Sequence, residues 1–194
     1  MKLKALWNIC HANGIPPLLY KWSFTKDLED GTLKDTLKEF FDDIDVFINK
    51  RTVLYLNLED TALTRKIGAT FFKVAILAGY MGSRYTTIED ISGYRRENWY
   101  EDGDVYDTLV HSDFLIIDKV FYKMEDWQRK IWNDFIEARI LAERSTVLVG
   151  ISPPNKVGVF SEETIDLLKD VNSYILTDTK LRNIKKYLSE HVAQ

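Results

Sequence analysis

Asp113-Phe-Leu-Ile-Ile-Asp118 is the stretch on which the fold turns. Four apolar residues stand between two acids, too few for a helix and without the alternation of a half-exposed strand. Such a run predicts a strand buried on both faces, as in parallel sheets covered by helices. Arg51-Thr-Val-Leu-Tyr-Leu56 and Thr146-Val-Leu-Val149 read the same way, and Arg84–Thr87 and Tyr174-Ile-Leu176 are shorter strand candidates. Helical patterns lie between them. Thr32–Phe47 repeats Leu33, Leu37, Phe40, Phe41 and Ile44 at three-to-four spacing. Further helices are expected at about 62–78, closed by Gly79, and at Ile88–Trp99, Glu125–Arg144, Glu162–Lys169 and Leu181–His191. Residues 88–106 are otherwise polar and irregular. Residues 1–31 are the least regular part, with Gly14-Ile-Pro-Pro17 as a turn or extended element. The expected organisation is a lead-in segment at 1–31 and one α/β domain at 32–194. Its expected core is a parallel five-stranded sheet with helices on both faces.

The composition sets the boundaries. The chain has 194 residues, 45% of them apolar and 29% charged, an ordinary globular balance. Its net charge of −4 argues against coating nucleic acid with the whole surface, while leaving room for a local basic patch. A single cysteine, Cys10, excludes an internal disulfide and a Cys-based zinc site, and reads as a buried thiol. No segment has the roughly 20 apolar residues of a membrane span, and Asn8, His11 and Asn13 interrupt any signal-type run. A cytoplasmic location is expected.

In a parallel α/β sheet the functional crevice lies outside the carboxyl ends of the strands. The residues to inspect are Asn57–Thr64, Asp118–Lys119 and Gly150–Ser152. Taken in order, several stretches resemble the IstB/DnaC/DnaI-like AAA+ helicase-loader ATPases. Gly14-Ile-Pro-Pro-Leu-Leu-Tyr20 with Ser23-Phe24 is similar to their lead-in, and Asp113–Asp118 to their Walker B strand. Trp127-Gln-Arg129 with Ile136-Glu-Ala-Arg139 resembles the helix after it, and Arg144–Val149 the strand ending in the polar sensor. Tyr174 through Leu181-Arg182 resembles the closing segment, so the likeness spans residues 14–182. It implies a P-loop NTPase-like AAA+ core with a small or absent lid.

The departures fall on the nucleotide site. A P-loop needs glycines so that backbone N–H groups can close around phosphate, a Lys for the outer phosphates and a Ser or Thr for Mg²⁺. Here the loop is Asn57-Leu-Glu-Asp-Thr-Ala-Leu-Thr64. It has no glycine, Leu63 stands in the place of the Lys, and only Thr64 fits. Glu59 and Asp60 put negative charge where phosphates would sit, and are expected to cap the helix themselves. Arg65 and Lys66 are about 100° and 200° further round the helix from Thr64. Asp118 keeps the Mg²⁺-orienting position, but Lys119 replaces the acid that activates the attacking water. Lys119 is expected to pair with Asp118, and with Asp60 as well. Ser152, or Ile151, takes the polar sensor position. No catalytic residue, metal ligand or cofactor is therefore expected; ATP with Mg²⁺ is what the family would bind.

The family's DNA contacts lie partly in the helical stretch after the second strand. Arg84, Tyr94, Arg95, Arg96 and Trp99 are the candidates here, since arginines supply charge for phosphates and aromatics supply stacking faces. Against this stands a structural reading, with the aromatics in the core and the arginines paired to Glu97, Glu101 and Asp102. The resemblance implies a replicative helicase or another AAA+ subunit as partner, single-stranded DNA as a further partner, and side-by-side assembly. Few residues precede Gly14, so the expectation is either helicase contact through another surface or an active AAA+ subunit as partner, with Leu6 and Trp7 as a short docking segment. The function expected is that of a non-catalytic replication accessory protein, of the shortened kind found in phages and mobile elements. A purely structural subunit and a weak ATPase are the alternatives.

Overall fold

The computed structural model describes residues 2–97, 103–120, 123–154, 159–178 and 180–191, without the side chains of residues 94–97, 103–104, 189 and 191. The strands are β1 (Val53–Leu56), β2 (Arg84–Thr87), β3 (Phe114–Val120), β4 (Ser145–Gly150), β5 (Ser173–Leu176) and β6 (Leu181–Asn183). They form one sheet in the order β2-β3-β4-β1-β5-β6. The first five are parallel, and β6 runs antiparallel to β5 along the edge. The expected sheet of five strands is thus extended by a sixth. Thr177 N–H donates to the Lys180 carbonyl at 3.0 Å and turns the chain back, so Leu181–Asn183 pair before any helix begins.

The helices before β1 are α1 (Leu3–Ala12), α2 (Pro17–Tyr20), α3 (Phe24–Asp27), α4 (Thr32–Asp42) and α5 (Ile44–Asn49). Residues 1–31 are more regular than expected. Leu6 and Cys10 of α1, with Ile15, Leu19 and Trp22, enter the same apolar cluster as the sheet. The single helix expected over Thr32–Phe47 is broken at Asp43, whose backbone leaves the helical region at φ −109°, ψ 32°. The remaining helices are α6 (Thr61–Leu77), α7 (Ile88–Glu97), α8 (Gly103–His111), α9 (Asp126–Leu141), α10 (Glu162–Asp170) and α11 (Ile184–His191). The helix expected from Leu181 starts at Ile184, where Asn183 Oδ1 accepts from Lys185 N–H at 2.9 Å.

Strand alternation divides the core into two halves. Leu54, Leu56, Phe114, Ile116, Val147 and Val149 face α1, α2 and α4–α6. Val53, Tyr55, Leu115, Ile117 and Leu148 face α7–α11. A large apolar side chain buried in either layer stabilises the fold by about 1.5–3 kcal/mol. The α6 helix lies close on the sheet because Gly68 has no side chain: a Cβ there would stand 2.5 Å from Val149 Cγ2. This close packing sets the N-terminus of α6 over the carboxyl end of β1. There the strand order reverses, with β4 on one side of β1 and β5 on the other.

Candidate functional site

The crevice at the carboxyl ends of β1, β3 and β4 is filled by the chain's own charges. Leu58, buried at 3% exposure, anchors the loop after β1. Asn57 N–H donates to the Leu176 carbonyl at 2.9 Å, and Glu59 N–H to Asp178 Oδ2 at 2.8 Å. Asp60 is the N-cap of α6, and its Oδ1 accepts from Ala62 N–H at 2.8 Å and Leu63 N–H at 3.0 Å. These donors point out of the helix start, where a bound anion is ordinarily held. The Glu59 side chain is exposed and Leu63 packs partly into the core. Thr64 is fully buried, and its hydroxyl donates back to the Asp60 carbonyl at 2.8 Å.

Asp118 lies at the other wall. Its register partner across the sheet is Thr87 of β2. The carboxylate is buried and, among the described residues, accepts hydrogen bonds from Arg65, Tyr85 and the Lys119 backbone. Arg65 Nε donates to Oδ2 at 2.8 Å and Oδ1 at 3.1 Å, and Arg65 Nη2 lies 2.8 Å from Oδ2. Tyr85 OH donates to Oδ2 at 2.7 Å and Lys119 N–H to Oδ1 at 2.8 Å. Burial alone would lower the Arg65 pKa, but its bonds to Asp118 outweigh this and hold the guanidinium above its usual range. Burial, then the adjacent carboxylate, pushes the Tyr85 phenol well above its ordinary value, so it stays protonated as a donor.

Lys119 does not pair with Asp118 through its side chain, as the sequence had suggested, nor with Asp60. A bulge between Ile117 and Val120 shifts the register of β3, and Lys119 sits within it at φ +62°. The bulge turns the two side chains apart. Asp118 joins Arg65 and Tyr85 beneath α6, while Lys119 Nζ points toward α7 and lies 3.9 Å from Glu89 Oε1. Both members of that pair are nearly half exposed, so it contributes little.

Ser152 is buried beyond the end of β4, and Ile151 beside it is 43% exposed. What holds this corner is the Ser152 backbone carbonyl, which accepts from Tyr55 OH at 2.6 Å. The Tyr55 ring passes directly over Gly150, where a Cβ would meet it at 2.3–2.4 Å.

The structure therefore brings Asn57, Asp60, Thr64, Asp118 and Arg65 around one crevice. Arg65 was legible only as a cation near the loop, and Tyr85 gave no signal beyond its place in a strand. A buried carboxylate requires partners, and this demand was the one clue to both. Arg84 lies at the opposite end of β2, donating to the Ser83 carbonyl at 3.0 Å. Tyr94, Arg95 and Arg96 fall on α7, but their side chains, like Trp99 as a whole, lie outside the described residues. Of the two residues expected as a short docking segment, Leu6 is buried in the core and Trp7 is half-buried. Among the described residues no cluster of His, Cys, Asp and Glu is arranged to hold a metal ion, and no helix is long and apolar enough to cross a membrane.

No family model and no curated protein matches the chain. Solved structures do. The crystal structure of the DnaC helicase loader is similar with a TM-score of 0.63 at 13% identity, over 84% of this chain and 99% of that one. A DNA replication initiation factor gives 0.62 at 14% identity, over 88% of this chain and 55% of its own. AMPPCP-bound DnaA from Aquifex aeolicus gives 0.59 at 15% identity, over 90% and 57%. The chain thus spans little more than half of the two initiator structures. At these identities the likeness is one of fold: the α/β fold seen in the DnaC helicase loader and in DnaA.

Proposed function

We propose that this chain is a non-catalytic AAA+-like replication accessory protein. It acts through contacts with a replicative helicase or another AAA+ subunit, and with single-stranded DNA. The fold shared with a helicase loader and a replication initiator supports the setting. The observation that carries the non-catalytic part is the bidentate Arg65–Asp118 pair.

The residues present do not fit a nucleotide with Mg²⁺. The helix-start donors that would hold phosphate already hold the Asp60 carboxylate. Glu59 and Asp60 add two negative charges to the place of a polyphosphate. The Thr64 hydroxyl is turned to a backbone carbonyl, and the Asp118 oxygens are taken by Arg65, Tyr85 and Lys119 N–H. Lys119 stands where an ATPase carries the acid that activates the attacking water. Phosphoryl transfer relies on positioning and charge stabilisation, and the crevice supplies neither.

A thermal-shift titration with Mg-ATP tests this. A ligand at 100 times its Kd stabilises by about 2.7 kcal/mol, so a clear rise in Tm at millimolar Mg-ATP would reject the reading. The DNA contact is tested separately by titrating a fluorescent oligo-dT at two salt concentrations. Absence of binding at low salt would leave the protein contact alone, as a structural subunit.

A further inference from the structure

A second concave surface runs along the C-terminal half of α6, at the opposite end of that helix from Asp60. It is a groove of about 850 Å³ between α1, the α2–α3 segment, α4 and α6. Trp7, Phe24, Phe41 and Val74 line it, each only partly buried. Leu3 and Leu77 also line it and are strongly exposed, at 61% and 56%.

Its charge runs against that of the chain. Five lysines (Lys21, Lys26, Lys34, Lys38 and Lys73) and three aspartates (Asp30, Asp35 and Asp42) line the groove, in a protein of net charge −4. Two of the lysines are committed to the fold. Lys34 Nζ bonds the Leu28 carbonyl and Asp30, and Lys73 Nζ bonds the Trp22 carbonyl at 2.7 Å. Lys21 stands over the Trp7 ring at 5.6 Å. Neither it nor Lys26 nor Lys38 makes an ion pair among the described residues.

We propose that this groove docks an acidic amphipathic helix from a partner protein. Its apolar stripe would lie on Leu3, Trp7, Val74 and Leu77, and its carboxylates would face Lys21, Lys26 and Lys38. The groove has helical walls and an apolar base, which suits a helix laid in by anchors at i, i+3, i+4 and i+7. Exposed leucines beside ammonium groups ask for apolar and anionic surface together. Single-stranded DNA is a poorer match, because the rings it would stack on are engaged. Trp7 leans on Tyr20 at 6.2 Å beneath Lys21, and Phe24 meets Phe41 edge-on at 4.9 Å. The inference does not depend on how the crevice at Asp118 is used.

The test is fluorescence anisotropy of the intact chain with a labelled helical peptide carrying leucines at i, i+3, i+4 and i+7, flanked by glutamates. A counterpart with every glutamate replaced by lysine and a labelled oligo-dT serve as comparisons. The acidic peptide is expected to bind more weakly as salt rises, and the basic one not to bind. Leu77→Asp, at an exposed position, is expected to weaken binding by roughly tenfold or more. Lys38→Glu, also exposed, is expected to weaken it severalfold and to flatten the salt dependence. The proposal is overturned if the acidic peptide does not bind, if both peptides bind alike, if neither substitution changes affinity, or if oligo-dT displaces the acidic peptide.

Discussion

Arg65 and Asp118, 53 residues apart in the chain, form a bidentate ion pair that joins α6 to the end of β3. The carboxylate is 1% exposed and the guanidinium 31%, so the acid bears most of the desolvation. Removing one member of such a pair costs more than the pair itself contributes, because the other is left buried and uncompensated. Arg65→Ala is therefore expected to destabilise the protein by about 3 kcal/mol in urea unfolding. The double variant Arg65→Met with Asp118→Leu should recover part of that loss, the remainder reflecting the Tyr85 hydroxyl and Lys119 N–H left without their acceptor. Equal losses in the single and double variants would contradict this account.

Asp60 and Glu59 are adjacent acids with different work. The Asp60 carboxylate satisfies two helix-start donors, so Asp60→Ala should cost about 1 kcal/mol. Glu59 contributes its backbone N–H to Asp178, and its exposed side chain is dispensable. Glu59→Ala is expected to stay within about 0.5 kcal/mol of the parent by the same denaturation measurement.

Gly150 is expected to tolerate no side chain. The Tyr55 ring that a Cβ would strike is fully buried and tethered to the Ser152 carbonyl, so it cannot swing away. Gly150→Ala should lose about 1–3 kcal/mol as an overpacking change. Tyr55→Phe keeps the ring and should not rescue it; Tyr55→Leu should rescue it in part. A chemical-denaturation series over Gly150→Ala alone and combined with each Tyr55 substitution separates the clash from the hydrogen bond.

Cys10 contributes to stability on the alkaline side. Burial pushes its thiol up to about 11, against 9.0 for the free group, despite the opposing pull of the Lys73 ammonium. A folded-state pKa above the unfolded one means the stabilisation is complete below about pH 9. It is lost as pH rises from 9 to 11. Lys73 is shifted the other way, chiefly by burial, and so opposes this decline. Cys10→Ala is expected to flatten the fall in stability across that window, measured as ΔG of unfolding at stepped pH. An unchanged slope would assign the alkaline limb to other groups.

Repairing the loop alone should not restore an ATPase. Glycines placed across Asn57–Ala62 together with Leu63→Lys leave Asp118 paired to Arg65 and a lysine in place of the catalytic acid at position 119. Phosphate release is expected to stay at the background of the unaltered chain. Turnover by the repaired loop would show that Lys119 is no obstacle.

The central strands and the long helices were legible because burial on both sheet faces writes an unbroken apolar run, and one-sided burial writes a three-to-four repeat. Phe114–Ile117, Val53–Leu56 and the face of α6 are of this kind. Elements held by few contacts left no such mark. Strand β6 has three residues and an exposed pattern, so Leu181–Asn183 merged with the helix that follows. The break at Asp43 is one backbone turn inside a continuous amphipathic repeat. At the site, the loop chemistry around Asp60 could be read from residue types, because a cap acts on its own helix. The partners of Asp118 could not, since they come from α6 and β2, and a bulge decides which way Lys119 points. Periodicity carries no information about a bulge.

The order of the sheet also bears on how the protein is made. Strand β1 is the first to leave the ribosome, yet it lies between β4 and β5 and owns no neighbour close in sequence. Thr52 N–H, at its start, waits for the Ser145 hydroxyl 93 residues later. Until then Val53–Leu56 has both edges open, an apolar template able to pair with any other nascent chain. Contacts so distant along the chain also close slowly. Crowded synthesis at high expression, rather than weakness of the finished fold, is therefore where this protein is most exposed to aggregation.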